Sequence, residues 1–246
     1  MYQFFVSPEQ IQGNRIIISG KDVNHIKNVL RMKTGEEINI KTGMDGKEYR
    51  CGILEFTEDE VICELYFIKE EDVELPVKVY LFQGLPKSDK MEWIIQKAVE
   101  LGVYEIIPVA SKRAVVKLDE KKAKSKVARW QGISEAAAKQ SKRAVIPQVT
   151  LPMSFREALA YCRDMDIKLI PYELAKNMEQ TRKAIEGIGK NQSVAVFIGP
   201  EGGFAEEEIE EAKEAGMLPV TLGKRILRTE TAGMCVLAFL LYQLEE

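Results

Sequence analysis

The chain has 246 residues, 46% of them apolar and 30% charged, with a net charge of −3, a balance that suits one large domain or two smaller ones. No stretch approaches the roughly 20 apolar residues of a membrane span. Met1-Tyr-Gln-Phe-Phe-Val-Ser-Pro8 lacks the pattern of a secretory signal, so the cytoplasm is the expected location. Cys51, Cys63, Cys162 and Cys235 are scattered in apolar contexts without zinc-site spacing, and His25 is the only histidine. No metal and no disulfide are expected.

The first seventy residues read as strands with one helix. Arg15–Ser19 is a strand, Asp22 can cap a short helix carrying Val23, Ile26 and Val29, and a meander runs from Glu37 through Glu48–Phe56 to Val61–Ile68. This predicts a small β-rich barrel. The acidic stretch 69–76 has no periodicity and ends in Pro76, which sets the boundary between domains 1–72 and 73–246.

From Val77 onward strands and helices alternate, the pattern of a mostly parallel sheet covered by helices. Strands are expected at 77–83, 105–110, 149–151, 167–171, 194–198 and 220–222. Helices are expected at 88–101, 119–142 (one long helix or two), 178–188, 206–215 and 230–244, with another capped by Ser154 and its partner Glu157.

Three of these strands end in loop signals. Ser193-Val-Ala-Val-Phe-Ile-Gly-Pro-Glu-Gly-Gly-Phe204 is an apolar run broken by glycines and proline before an acidic helix start, and Leu218–Gly233 repeats the layout around Gly223. Lys168-Leu-Ile-Pro-Tyr-Glu173 adds a third such end. Open α/β sheets bind ligands outside the carboxyl ends of their strands, so these loops are expected to wall one pocket. A single loop of this kind is also compatible with an ordinary βα turn.

Charge is unevenly distributed. Between Ser111 and Arg143 lie eleven Lys or Arg against three acids, while acids concentrate in 55–74 and 201–214. A basic face on an acidic chain suits a selective phosphate binder, whereas Lys121-Lys-Ala-Lys-Ser-Lys126 alone reads as a solvated helix face. A P-loop and a lipase or esterase are excluded, and a dinucleotide fold is a poor fit. The lysine-serine/threonine ending, the early G-x-G-x-x-G and the G-x-S-x-G elbow are each missing.

The chain resembles the SPOUT class of RNA methyltransferases, and more closely the RsmE family, which methylates N3 of a uridine in 16S ribosomal RNA. The resemblance spans nearly the whole chain. It rests on His25 with Val29-Leu-Arg31, Leu85-Pro-Lys-Ser-Asp-Lys-Met-Glu92 with Lys97 and Glu100-Leu-Gly-Val103, Ser111-Lys-Arg-Ala-Val-Val116, and Glu135-Ala-Ala-Ala-Lys-Gln-Ser-Lys-Arg143. Its most specific pieces are Phe197-Ile-Gly-Pro-Glu-Gly-Gly203 and Leu222-Gly-Lys-Arg-Ile-Leu-Arg-Thr-Glu-Thr-Ala232. Ser88 and Lys142 depart from the family pattern, where glycine or another small residue is expected.

The resemblance implies an α/β chain with an N-terminal PUA-like β-barrel for RNA, then a SPOUT αβ domain with a C-terminal trefoil knot. It also implies a homodimer with S-adenosylmethionine bent into each knot. The backbone of Leu222, Gly223, Ile226 and Leu227 would hold the adenine, enclosed by Ile170, Pro171 and Ile198. Gly199, Glu201 and Gly203 would lie near the ribose or methionine, and Thr231 and Ala232 would close the pocket. Arg228 would stabilise charge on the uracil oxygens, and Glu201 or Glu230 would take the N3 proton or serve as a cap or ion pair. The RNA, within the small ribosomal subunit, would lie on Arg31, Arg113, Lys117, Lys139, Lys142 and Arg143. His25 is read as a helix residue beside Arg31. Competing readings are a SPOUT enzyme acting on a ribose 2′-hydroxyl or on tRNA, and a non-catalytic ribosome-assembly factor.

Overall fold

In the computed structural model, which describes residues 1–70, 73–116, 118–175 and 177–245, apolar alternation in the first seventy residues resolves into a six-stranded sheet. Its strands are β1 (Gln3–Phe5), β2 (Ile11–Gln12), β3 (Arg15–Ser19), β4 (Glu37–Lys41), β5 (Lys47–Phe56) and β6 (Glu60–Glu70). They pair in the order β1-β4-β5-β6-β3-β2, antiparallel except for β1 with β4. Period-two burial puts Ile16, Ile18, Ile38, Ile40, Cys51, Ile53, Val61 and Cys63 into one core with Phe4 and Ile26. Irregular pairing between Arg50 and Cys51 and between Ile53 and Glu55 helps the sheet curl. β1 and β2 remain as its two edges.

A short helix α1 (Lys21–Asn24) runs into a π-helical turn, His25–Val29, which ends at Arg31 in the left-handed region (φ 54°). The N-cap of α1 is Gly20 and not Asp22. The Asp22 carboxylate instead pairs with Lys139, with Nζ 3.1 Å from Oδ2.

That pairing reflects how the chain divides. One unit comprises Met1–Glu74 with Ala138–Ile146, the other Leu75–Ala137 with Pro147–Glu246. Segment 138–146 is fastened to the first unit by polar contacts with distant residues. Fully buried Lys41 donates from Nζ to the Lys142 carbonyl (2.8 Å), and Gln3 Nε2 donates to the Arg143 carbonyl (3.2 Å). Glu74 Oε1 accepts from the backbone N–H groups of Ala144 and Val145.

The second unit alternates as expected. Its elements are β7 (Lys78–Gly84), α2 (Lys90–Glu100), β8 (Glu105–Ala110), α3 (Glu120–Gln140), β9 (Gln148–Val149), β10 (Met153–Ser154), α4 (Phe155–Tyr161), β11 (Ile167–Pro171), α5 (Met178–Glu186), β12 (Ser193–Ile198), α6 (Glu206–Glu214), β13 (Leu218–Val220) and α7 (Thr229–Leu244). The sheet is parallel throughout its described pairings, in the order β10-β8-β7-β12-β11-β13, with β9 also on β8. β12 lies between β7 and β11, and Val194–Ile198 is buried along its whole length. Phe197 stacks on Phe82 with ring centroids 4.3 Å apart, and Phe155 meets it edge-on.

Two boundaries differ from expectation for backbone reasons. Helix α2 begins at Lys90 because Ser88 sits in the left-handed region (φ 57°), where a right-handed helix cannot continue. β13 ends at Val220, since Thr221 turns away to exchange two hydrogen bonds with Thr181. The Ser154–Glu157 capping box forms as expected, the Glu157 carboxylate accepting from Ser154 N–H at 2.7 Å. Among the described residues, no helix is long and apolar enough to cross a membrane, and no group of three His, Cys, Asp or Glu could hold a metal ion.

Candidate functional site

The chain leaves β7 toward β8 on one side and returns as β12 on the other, so the strand order reverses beside β7, the arrangement that opens a crevice in α/β sheets. The loops following β11, β12 and β13 converge at that end. They enclose a cavity of about 510 Å³, within the range of small-molecule sites. One close approach makes this possible. A Cβ on Gly84, at the end of β7, would lie 2.5 Å from Pro200 Cδ, so only glycine lets the loop after β12 settle there.

Most residues expected around a cofactor do line this cavity: Pro171, Ile198, Gly199, Glu201, Gly203, Leu222, Gly223, Ile226, Leu227 and Ala232. Two do not. Strand alternation turns Ile170 into the apolar core with Phe82 and Phe197, leaving its neighbour Pro171 to face the cavity. Thr231 is exposed on the first turn of α7, where Ala232 faces inward instead. Gly223 adopts φ 113°, which glycine alone tolerates readily. Among the described residues, no protein group hydrogen-bonds the backbone of Leu222 or of residues 224–227. These are donors and acceptors ready for a ligand.

The start of α7 is fixed by a buried polar relay that the sequence did not disclose. Thr229 Oγ1 donates to the Gly199 carbonyl (2.6 Å) and accepts from Gln83 Nε2 (2.8 Å). It thereby ties the last helix to the ends of β7 and β12. The Lys90 ammonium was also unforeseen. It lies 3.0 Å from Glu201 Oε1 and 3.3 Å from Glu230 Oε2, with Glu201 also accepting from Lys87 N–H. Burial by itself would raise Glu201, but its own backbone N–H, Lys90 and the Lys87 N–H together hold the carboxyl below its ordinary value. Glu201 is therefore a firmly ionised group, and Glu230 shares its cation.

The other cations of the cavity differ in their partners. Arg113 Nη1 donates to the Gly202 carbonyl (3.0 Å), whereas among the described residues Lys224, Arg225 and Arg228 have no ion-pair partner. Buried Glu208 secures the loop from below, accepting from the N–H groups of Ala205 and Lys112, both at 2.8 Å.

Four of the remaining expected RNA contacts, Arg31, Lys139, Lys142 and Arg143, belong to the first unit. Arg31 and Lys142 are exposed, but Lys139 is engaged with Asp22. Arg143 is corrected more fully: it is 4% exposed and held by the Glu74 carboxylate, with Nε 3.1 Å from Oε2. It offers no surface to a phosphate. Lys117 lies outside the described residues.

Comparison with known proteins agrees with this geometry. Residues 73–241 match the family described as RNA methyltransferase domain, and residues 18–66 that described as RNA methyltransferase PUA domain. The chain is 42% identical over 231 residues to ribosomal RNA small subunit methyltransferase E of Bacillus subtilis, covering 93% of this chain and 90% of the relative. It is 38% identical over 240 residues to the protein of the same name from Mesomycoplasma hyopneumoniae, covering 96% and 97%. The crystal structure of a ribosomal RNA small subunit methyltransferase E from Neisseria gonorrhoeae, bound to S-adenosyl methionine, is similar with TM-score 0.83. It is 34% identical, with 97% of this chain and 95% of that one covered.

Proposed function

This chain belongs to the ribosomal RNA small subunit methyltransferase E family, and on that footing we propose that it transfers the methyl group of S-adenosylmethionine to N3 of a uridine in 16S ribosomal RNA. The observation that carries the reading is the cavity at the ends of β11, β12 and β13, with the backbone of Leu222 and of residues 224–227 unbonded among the described residues.

The residues present fit the cofactor. The apolar side chains of Pro171, Ile198, Leu222 and Leu227 suit a purine face, and the open N–H and C=O groups of Leu222 and of 224–227 suit its edge. Gly199, Glu201 and Gly203 serve the ribose or methionine end. When bound, S-adenosylmethionine supplies an already activated methyl group, so the chain has mainly to align the acceptor nitrogen. Arg228, a cation without an ion-pair partner among the described residues, stabilises negative charge on the uracil oxygens as the N3 proton leaves. Glu201 and Glu230 share one ammonium, which leaves the trio with a net negative charge to receive that proton.

We assign residues 1–72 to a PUA-like RNA-binding domain and 73–246 to transfer, with Arg31, Lys142, Lys117 and Arg113 as phosphate contacts. Lys139 and Arg143 hold segment 138–146 and act on RNA only through it. The reading includes a trefoil knot in which α7 follows the loop after β13, and action in the cytoplasm. It also includes a homodimer, supported by the apolar character of α7, which leaves Tyr242 87% exposed and Met234 and Cys235 half-buried. Nucleoside analysis of RNA treated with the protein and S-adenosylmethionine tests the reaction. N3-methyluridine supports it; a 2′-O-methyl nucleoside would replace it with ribose methylation.

A further inference from the structure

Charge and exposure are divided unusually along the loop after β13. Leu222 and Leu227 are half-buried, while the residues between Gly223 and Leu227 stand out into solvent. Ile226 is 86% exposed, among the most exposed large apolar side chains of the chain, and it follows directly on Lys224 and Arg225. All three border the cavity. An isolated exposed aliphatic residue needs no explanation, but one at the rim of a ligand cavity, next to two cations without ion-pair partners among the described residues, suits a ligand that is both apolar and anionic.

A base inside a stacked RNA cannot reach a methyl donor held in a concave pocket. It has to leave the stack, and its departure exposes an apolar base face between two phosphates. The rim of this cavity carries the complement of that gap. Arg113 is anchored to Gly202 and Lys90 to two carboxylates, so neither is as available as the loop cations.

We propose that Lys224, Arg225 and Ile226 form the strand-engaging element of the pocket, the two cations taking phosphodiesters beside the target nucleotide and the Ile226 side chain packing on the base left by its extrusion. This rests on the methyltransferase reading above. On that reading the unbonded backbone of the same residues is left for the cofactor, so one short loop addresses both reactants. A second copy of this chain is the competing occupant. The cations argue against it, whereas α7 offers a continuous apolar face.

Two variants decide the matter. In Lys224→Ala/Arg225→Ala, the slope of log affinity for small-subunit ribosomal RNA against log salt should become shallower by about one to two, with cofactor affinity measured alongside. An unchanged slope would overturn the assignment, and with weakened cofactor binding it would give the cations to the cofactor carboxylate. Ile226→Ser should slow single-turnover transfer to folded RNA about tenfold while slowing a short unpaired RNA of the same target sequence much less. Equal loss on both RNAs, or dissociation of a dimer in sedimentation, would overturn it. If the wild type transfers no methyl group, the enzymatic reading fails, and the salt slope still decides whether the loop holds RNA.

Discussion

Lys90 Nζ lies 3.0 Å from Glu201 Oε1, joining the first residue of α2 to the loop after β12, and the same ammonium reaches Glu230 on α7. Three elements that wall the cavity thus share one cation. The lowered pKa of Glu201 means that the ionised carboxylate stabilises the fold. Its contribution is complete above the ordinary value of 4.5 and is lost as pH falls through the lower folded value. Lys90→Met should therefore lower Tm at pH 7, and the gap from wild type should narrow at about pH 3. It should also move the acidic limb of the kcat profile upward, because Glu201 loses a cation that holds its carboxyl low, with Lys90→Arg restoring the profile. Identical profiles would remove Lys90 from the account.

The relay from Gln83 through Thr229 to Gly199 is buried, so breaking it leaves polar groups without partners. Thr229→Val should cost about 2–4 kcal/mol in urea unfolding and weaken cofactor binding, with Thr229→Ser retaining most of both. Equal stability of the valine variant would show that the relay is dispensable.

Ser88 and Lys142 occupy left-handed backbone at φ 57° and 60°. A side chain there costs about 1–2 kcal/mol, partly offset in Ser88→Gly and Lys142→Gly by the greater freedom of unfolded glycine. Each substitution should raise unfolding free energy by a few tenths to about 1 kcal/mol. A loss of stability would mean that the side chains make contacts that outweigh the strain.

Arg143 and Arg113 should separate fold from RNA binding. Arg143→Ala removes one partner of a largely buried pair and should destabilise by about 2–4 kcal/mol, measured by urea unfolding. Arg113→Glu should leave stability nearly unchanged and flatten the salt dependence of RNA affinity. The reverse pattern would return Arg143 to the RNA surface.

Local signals made much of this fold legible. The three loops could be read from the chain because each sits where an apolar run meets glycine or proline, and backbone chemistry forces a break there. The departures at Ser88 and Lys142 also had a physical meaning, since both positions need the φ that glycine favours. What sequence could not convey was pairing across long separations. Thr229 meets Gln83 across 146 positions and Lys139 meets Asp22 across 117, so a candidate helix cap and a candidate RNA contact neutralise each other. Arg143 looked like surface charge because its partner Glu74 lies in an acidic run with no period of its own. β1 and β2 are too short to show alternation.

The central claim is that the loops after β11, β12 and β13 form the S-adenosylmethionine site, and calorimetric titration of the cofactor into wild type and Leu227→Asp tests it most directly. Leu227 lines the cavity, and a carboxylate there would meet the purine and cost its desolvation. The account predicts saturable binding to the wild type and none to the variant, with circular dichroism unchanged. Equal affinity in the two proteins would contradict it and move the cofactor elsewhere.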